Sequence, residues 1–128
     1  NAGFTQGEPW IGVCDNYADI NVESALNDPD SVFYAYQQLI ALRKSQPVLT
    51  WGDYEDLQPE HPALWCYRRQ HQGQTLLVVA NLGATPLQWQ PPVTDANGHV
   101  LMSNYADAPS SPTALTLRPF EAIWWLLD

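Results

Sequence analysis

Seven short apolar or β-branched runs fill the chain after residue 47 and restrict its fold more than any other feature of the sequence. They span residues 48–51, 63–70, 74–82, 85–89, 98–105, 113–118 and 120–127. Turn-forming pairs such as Gln72-Gly73 and Asn97-Gly98 separate them. Short runs at this spacing predict an antiparallel β-sandwich. We expect 71–74 to form a hairpin tip, with 65–69 paired against 76–80.

Two of these runs, 74–82 and 120–127, contain five consecutive apolar residues each, at 76–80 and 123–127. A strand with one solvated face alternates between apolar and polar residues, so these strands need cover on both faces. A two-layer sandwich covers only one face of each sheet. The outer cover could be the predicted helix 31–44, a second copy of the chain, or a domain outside it.

The first 46 residues differ from the rest of the chain in composition and in apolar pattern. Residues 1–27 combine glycine and proline with aromatic residues and follow no sustained period, which predicts a long loop. Asn21 is placed to cap a short helical turn over 22–26. Residues 28–46 predict a helix with an apolar stripe. Acidic residues and Pro29 mark its beginning, while Arg43, Lys44 and the following Pro47 mark its end. We therefore expect two domains, residues 1–46 and 47–128.

Charge and targeting signals narrow the class of protein. The chain carries 14 acidic against 5 basic residues, a net charge of −9, which argues against nucleic acid or an anionic membrane as partner. It holds no apolar run of membrane-spanning length. It begins with Asn1 and lacks a signal-peptide pattern, so we interpret it as a piece of a longer cytoplasmic protein. Cys14 and Cys66 are too few for a disulfide framework and are expected to be reduced thiols.

The residues that could carry catalysis do not form a persuasive site. Asp53, Glu55 and Asp56 lie close together in the sequence, and glycosidases use a pair of carboxyl groups for catalysis. A solvated acidic turn explains this cluster better, because nothing nearby would separate the pKa values of an acid and a base. The histidines at 61, 71 and 99 lack metal-ligand spacing and are expected at the surface. We therefore predict neither a metal nor any other cofactor.

Tryptophan supports two interpretations. The indoles at positions 51, 65, 89, 124 and 125 could stack on sugar rings, as in a carbohydrate-binding module, but their place in apolar strands favours packing. Trp10 differs because it lies in the glycine- and proline-containing loop, where contact with a ligand or another domain is the better hypothesis. A general interaction domain that associates through its apolar faces is a further alternative.

Ordered motifs along the whole chain carry a more specific signal. They are NAGFT, PW, NY with INVE, DPDSVF, ALRK, WGDY, LLVVANLG and LRPFEAIWWLL. In this succession they resemble the end of the barrel and the C-terminal β-domain of oligo-1,6-glucosidase-type enzymes of the α-amylase superfamily, glycoside hydrolase family 13. Within that family, EPWIGVCDNY and RPFEAIWWL are most similar to the trehalose-6-phosphate hydrolase subfamily.

This resemblance implies a retaining α-glucosidase of the cytoplasm, whose trehalose-6-phosphate hydrolases release glucose and glucose 6-phosphate. The catalytic carboxylates of the family precede the segment that matches this chain, so no catalytic residue is assigned here. The resemblance implies a loop after the last barrel strand, the last barrel helix and the sandwich, which together stabilise the barrel and are inert alone. The partner would then be the catalytic barrel of the same chain. Phe4, Glu8 and Trp10 become candidates for the rim of the active-site mouth, and a purely structural role in closing the barrel is the alternative.

Overall fold

A computed structural model describes residues 3, 5–92 and 97–127. The chain divides into two compact units, Asn1–Ala41 and Leu42–Asp128. The first contains the helix α1 (Val22–Leu26) and most of α2 (Val32–Ser45). The second contains the end of α2, the short helix α3 (Pro47–Trp51) and all seven strands.

The seven strands form two antiparallel sheets, which confirms the predicted sandwich. Their bounds are β1 (Asp53–Asp56), β2 (Leu64–His71), β3 (Gln74–Asn81), β4 (Leu87–Trp89), β5 (Gly98–Ser103), β6 (Leu115–Leu117) and β7 (Ala122–Leu127). Five strands form one sheet in the order β1-β2-β3-β7-β5, and β4 pairs with β6 in the second. β5 carries a register shift between Val100 and Met102.

The predicted hairpin is present with the expected register. Trp65 lies opposite Ala80 and Arg69 lies opposite Leu76. Gln72 and Gly73 have φ angles of 49° and 84°. A two-residue turn with both φ values positive matches the twist of the flanking strands, and glycine adopts such a φ readily.

The main core lies between the two sheets. Its central residues come from every strand except β1 and β5, and they are Leu64, Cys66, Leu77, Val79, Trp89, Leu117, Ile123, Trp125 and Leu127. Trp89 and Trp125 stack with their ring centroids 5.7 Å apart and their planes 5° from parallel. Alternate residues of β3 and β7 thus point into the space between the sheets.

The opposite face of β3 and β7 is also covered, as their continuous apolar sequence requires. Leu76, Val78 and Leu126 pack in a second cluster with Val48 and Leu49 of α3. The prediction of outer cover is therefore confirmed, and part of this cover comes from the predicted helix 31–44, which was one of the three sources considered. Within the unit Leu42–Asp128, the cover comes from α3 together with the half-buried Leu42 at the end of α2.

Two local predictions were wrong. Residues 48–51 form part of a helix rather than a strand, because Pro47 occupies its first position and Gly52 N donates to Val48 O at 3.1 Å. The acidic cluster 53–56 forms the strand β1 rather than a turn, because β2 provides a partner for each of its residues. Both segments are short, and a short segment takes its conformation from its neighbours.

The helices of the first unit begin and end close to the predicted residues. The side chain of Asn21 accepts a 2.8 Å hydrogen bond from Ser24 N, so it caps α1 as expected. α2 contains no buried residue, although its sequence carries the predicted apolar stripe. Four of its apolar side chains, at positions 32, 33, 36 and 40, are exposed.

Candidate functional site

We call residues 5–22 the rim segment, because they contain Glu8 and Trp10, two of the residues predicted as rim candidates. Turns shape it, with Tyr17 N donating to Cys14 O at 3.1 Å and Ile20 N donating to Asn16 O at 2.9 Å. The Asn21 amide donates to the carbonyls of Tyr17 and Ala18 at 3.0 and 3.1 Å. The segment thus takes its shape from turns and side-chain caps rather than from a core of its own.

A groove of about 980 Å³ runs along the rim segment. Glu8 and Trp10 both line it, so the structure brings these two predicted residues together. Trp10 is 94 % exposed and Ile20 is 73 % exposed, which is unusual for large apolar side chains of a single chain. Phe4, the third candidate, lies outside the described residues. The groove is mostly apolar, and Glu8 is the acidic residue among those that line it.

A second apolar surface lies on α2. Val32, Phe33, Tyr36 and Ile40 follow helical spacing on one side of the helix, and each is exposed. They line a shallow groove of about 420 Å³ together with Gln37. We call these four side chains the α2 apolar row.

The acidic residues Asp53, Glu55 and Asp56 all lie on β1, and two of them have partners for their side chains. Glu55 makes a 2.6 Å ion pair with Arg68 across the β1–β2 ladder. Asp56 accepts a 3.0 Å hydrogen bond from Gln58 N. Asp53 lies opposite Gln70 at the exposed edge strand. These side chains thus support the pairing of β1 with β2 and the turn after β1, in place of the solvated acidic turn that was predicted.

The histidines are dispersed as well. His61 is only partly exposed, and its Nδ1 accepts hydrogen bonds from Ala63 N and Leu64 N at 3.2 and 2.8 Å. His61 therefore shapes a turn, rather than lying free at the surface as the sequence analysis expected. In the described part of the chain, no group of three or more His, Cys, Asp or Glu residues could hold a metal ion.

The tryptophans divide between core and surface. Trp89 and Trp125 are buried, as the packing interpretation predicts. Trp51 is 72 % exposed and Trp65 is 46 % exposed, so these two have aromatic faces open to solvent. Trp65 packs beside Tyr67 with ring centroids 5.1 Å apart. The sequence alone could not separate these cases, because all of them lie in or beside apolar runs.

We expect the two thiols to differ sharply in reactivity. Cys14 is exposed, whereas Cys66 is completely buried in the core. Burial raises the pKa of the Cys66 thiol to about 11, against a smaller opposing effect of the Trp89 indole N–H. A thiol reagent at pH 8 should therefore modify Cys14 rapidly and Cys66 only after unfolding, since the thiolate is the reactive form.

Titration with a chromogenic disulfide measures this difference. Cys14→Ser should leave almost no rapidly reacting thiol, and Cys66→Ala should leave the rapid reaction unchanged. Fast modification of the Cys14→Ser protein under native conditions would contradict the buried position of Cys66.

No helix among the described residues is long and apolar enough to span a bilayer. Comparison with known families gives two matches in succession. Residues 1–52 match the family described as "Alpha amylase, catalytic domain", and residues 54–124 match "Maltogenic Amylase, C-terminal domain".

Individual relatives match nearly the whole length of the chain. Trehalose-6-phosphate hydrolase of Escherichia coli K12 is 60 % identical over 126 residues, covering 98 % of this chain and 23 % of the relative. Oligo-1,6-glucosidase of Heyndrickxia coagulans is 45 % identical and covers all of this chain and 22 % of the relative. The crystal structure of Bacillus licheniformis trehalose-6-phosphate hydrolase superimposes with a TM-score of 0.91 at 41 % identity, over 100 % of this chain and 24 % of that one. The chain thus spans about a quarter of the length of the relatives it matches.

Proposed function

The chain belongs to the α-amylase family of glycoside hydrolases, family 13, and from this we propose that it supports the catalytic barrel of a trehalose-6-phosphate hydrolase. In this proposal the whole enzyme cleaves trehalose 6-phosphate into glucose and glucose 6-phosphate with retention of configuration. The 128 residues contribute the end of the barrel, residues 1–46, and the C-terminal sandwich, residues 47–128. They have no hydrolytic activity alone.

The α2 apolar row is the observation that carries this proposal. Val32 is 72 % exposed, Tyr36 is 64 % exposed and Ile40 is 51 % exposed. A patch of this kind, repeated at helical spacing, marks a surface that another protein segment covers. The match of residues 1–52 to a catalytic domain supports the barrel as that segment.

Two carboxylates of the sandwich, Glu55 and Glu121, support the assignment of the chemistry to the barrel. Hydrolysis with retention needs two carboxyl groups about 5 Å apart on either side of the bond that breaks. Glu55 forms an ion pair with Arg68, and the buried Glu121 accepts hydrogen bonds from Arg118. Both side chains have partners within the sandwich, which supports the proposal that the reacting groups belong to the rest of the enzyme.

Trehalose 6-phosphate is favoured over isomaltose-type substrates by the relatives. The Escherichia coli enzyme named for trehalose 6-phosphate is 60 % identical, against 45 % for the oligo-1,6-glucosidase of Heyndrickxia coagulans. An oligo-1,6-glucosidase is accordingly the alternative function. The residues that select between the substrates would lie in the barrel.

Glu8 and Trp10 are proposed to lie at the rim of the active-site mouth, together with Phe4. Barrel active sites are built from the loops that follow the strands. The rim segment presents an indole face and a carboxylate in one open groove, which are groups that can contact a sugar ring and its hydroxyls. The partners are thus the barrel and a small sugar substrate, in a cytoplasmic enzyme that binds neither nucleic acid nor membrane.

A chimera tests the proposal. This chain would replace the matching 126 residues of the Escherichia coli relative, and we expect the chimera to hydrolyse trehalose 6-phosphate. Tyr36→Glu should then lower the melting temperature of the chimera by several degrees, because a charge would be buried against the barrel. Gln38→Glu is the matched control, since Gln38 is an exposed residue of the same helix outside the α2 apolar row.

Two results would overturn the proposal. Hydrolysis of an aryl α-glucoside by the 128-residue chain alone, above background, would place catalytic groups within it. Equal melting temperatures for the Tyr36→Glu and Gln38→Glu chimeras would show that the α2 apolar row does not contact the barrel.

A further inference from the structure

Three aromatic side chains contact one another on the five-stranded sheet. Tyr54 belongs to β1, and Trp65 and Tyr67 belong to β2. The ring centroid of Tyr67 lies 5.2 Å from that of Tyr54 and 5.1 Å from that of Trp65. Tyr54 is 53 % exposed and Trp65 is 46 % exposed, whereas Tyr67 is half-buried. We call these three side chains the aromatic patch.

Strand register shows which face of the sheet carries the patch. Tyr67 lies opposite Val78 on β3, and Trp65 lies opposite Ala80. Directly opposite residues of an antiparallel pair place their side chains on the same face. Val78 belongs to the cluster that α3 covers, and Tyr67 packs against that cluster. The aromatic patch is therefore continuous with the covered part of this face, which we call the outer face of the sheet.

The residues that cover the outer face belong to the segment that matches a catalytic domain. Val48 and Leu49 of α3 lie within residues 1–52, which give that match. They pack in one cluster with Val78, which lies within the match to the C-terminal domain, residues 54–124. A contact between the two matched domains is thus already present on this face.

A polar contact joins the same two segments. Arg69 lies opposite Tyr54 and two residues after Tyr67, which places it on the outer face as well. Its Nε and Nη2 donate hydrogen bonds to Gly52 O at 3.2 and 2.7 Å. Gly52 is the last residue of the match to the catalytic domain. Apolar packing and hydrogen bonds therefore both hold residues of this match on the outer face.

The polar atoms of the aromatic patch suit cover by another protein segment. The Trp65 indole donates a 3.4 Å hydrogen bond from Nε1 to the Tyr54 hydroxyl. The N–H thus has an acceptor within the patch, and burial of the ring would not leave it unsatisfied. The rings themselves offer apolar surface, whose removal from water is favourable.

We propose that the aromatic patch is a contact surface for the catalytic barrel, which covers Trp65 and Tyr54. This inference rests on the proposed function, because the barrel is the partner in both, but it adds a contact of the sandwich that is separate from the α2 apolar row. The covering segment lies outside these 128 residues. The Escherichia coli relative offers such a segment, since the match covers only 23 % of it.

Photocrosslinking in the chimera described above tests this contact. In the variant Trp65→p-benzoylphenylalanine an aromatic ring is retained, and ultraviolet light joins it to the nearest neighbour. We expect crosslinks from position 65 to peptides of the barrel, identified by mass spectrometry after digestion. Tyr54→p-benzoylphenylalanine repeats the experiment from β1, so the result does not depend on one position. Gln88→p-benzoylphenylalanine is the matched control, because Gln88 is exposed on β4 in the other sheet and should give far fewer barrel crosslinks.

Several outcomes would overturn this contact. Crosslinks between two chains would identify a second copy as the occupant instead of the barrel. Crosslinks confined to the 128 residues, or barrel crosslinks as abundant from position 88 as from positions 54 and 65, would leave the patch without a barrel contact.

The melting temperatures of the Tyr36→Glu and Gln38→Glu chimeras distinguish failure of this inference from failure of the proposed function. If Tyr36→Glu melts earlier but positions 54 and 65 give no barrel crosslinks, the aromatic-patch contact is wrong and the proposed function stands. If the two chimeras melt together while barrel crosslinks form, the contact of the α2 apolar row is wrong and the aromatic-patch contact stands.

Discussion

Replacement of Trp125 by alanine should lower the free energy of unfolding of the unit Leu42–Asp128, which contains the sandwich, by about 3–5 kcal/mol. Trp125 is fully buried, stacks on Trp89 and donates a 2.9 Å hydrogen bond from Nε1 to Pro109 O. Alanine would leave a cavity between the two sheets and a half-buried carbonyl without its donor. Chemical denaturation followed by far-ultraviolet circular dichroism would measure the loss.

Two further variants separate the causes of that loss. Trp125→Phe keeps much of the ring volume but removes the N–H, so its cost should be about 1–3 kcal/mol. Trp65→Ala removes an indole that is 46 % exposed and should cost less than Trp125→Phe. A Trp125→Ala protein as stable as the Trp65→Ala protein would contradict the central position of Trp125 in the core.

The sandwich could be predicted because its strands are separated by strong turn formers. Gln72-Gly73 specifies a two-residue hairpin, and that turn determines which residues of β2 and β3 lie opposite one another. The continuous apolar sequence of β3 also predicted cover on both faces. It could not identify α3 as that cover, because a run of five residues from Pro47 to Trp51 is compatible with either a strand or a single helical turn.

β1 was missed for a different reason. Its sequence, Asp53 to Asp56, is mostly acidic and lacks an apolar alternation. Contacts with β2 stabilise it instead, including the Glu55–Arg68 ion pair and the packing of Tyr54 on Tyr67 with ring centroids 5.2 Å apart. Such contacts join residues distant in sequence, so local propensity does not indicate them.

The candidate site in the rim segment could be predicted in part, as the fold could. Trp10 in a glycine- and proline-containing loop indicated an exposed contact residue, and it proves to be 94 % exposed. The exposed position of Trp51 could not be found in the same way, because residues 48–51 were predicted as a strand and they belong to α3.

A second large effect is expected at Glu121, for which Glu121→Gln should cost about 2–3 kcal/mol of unfolding free energy. Glu121 is 2 % exposed, and its two oxygens accept hydrogen bonds of 2.7 and 2.6 Å from Arg118 N and Arg118 Nη2. Glutamine retains the size but offers only one acceptor oxygen, so its amide group would face one of these donors. The bend between β6 and β7 would then lose a charge-assisted contact in a buried place, where such contacts contribute most.

Asp107→Asn provides the control, because Asp107 bonds to the same guanidinium from an exposed position, with Arg118 Nη1 donating at 2.8 Å. The hydrogen bond from Arg118 holds the pKa of Asp107 below its usual value. Any stabilisation by this pair is therefore present at neutral pH and disappears as the pH falls through that lowered value. At pH 7 we expect Asp107→Asn to unfold close to the unchanged chain and Glu121→Gln to unfold well before it. Equal denaturation midpoints for the two variants would mean that burial of Glu121 does not strengthen its hydrogen bonds to Arg118. Other hydrogen bonds, such as that from Phe120 N to Gly83 O at 3.1 Å, would then be the main stabilising contacts of the bend between β6 and β7.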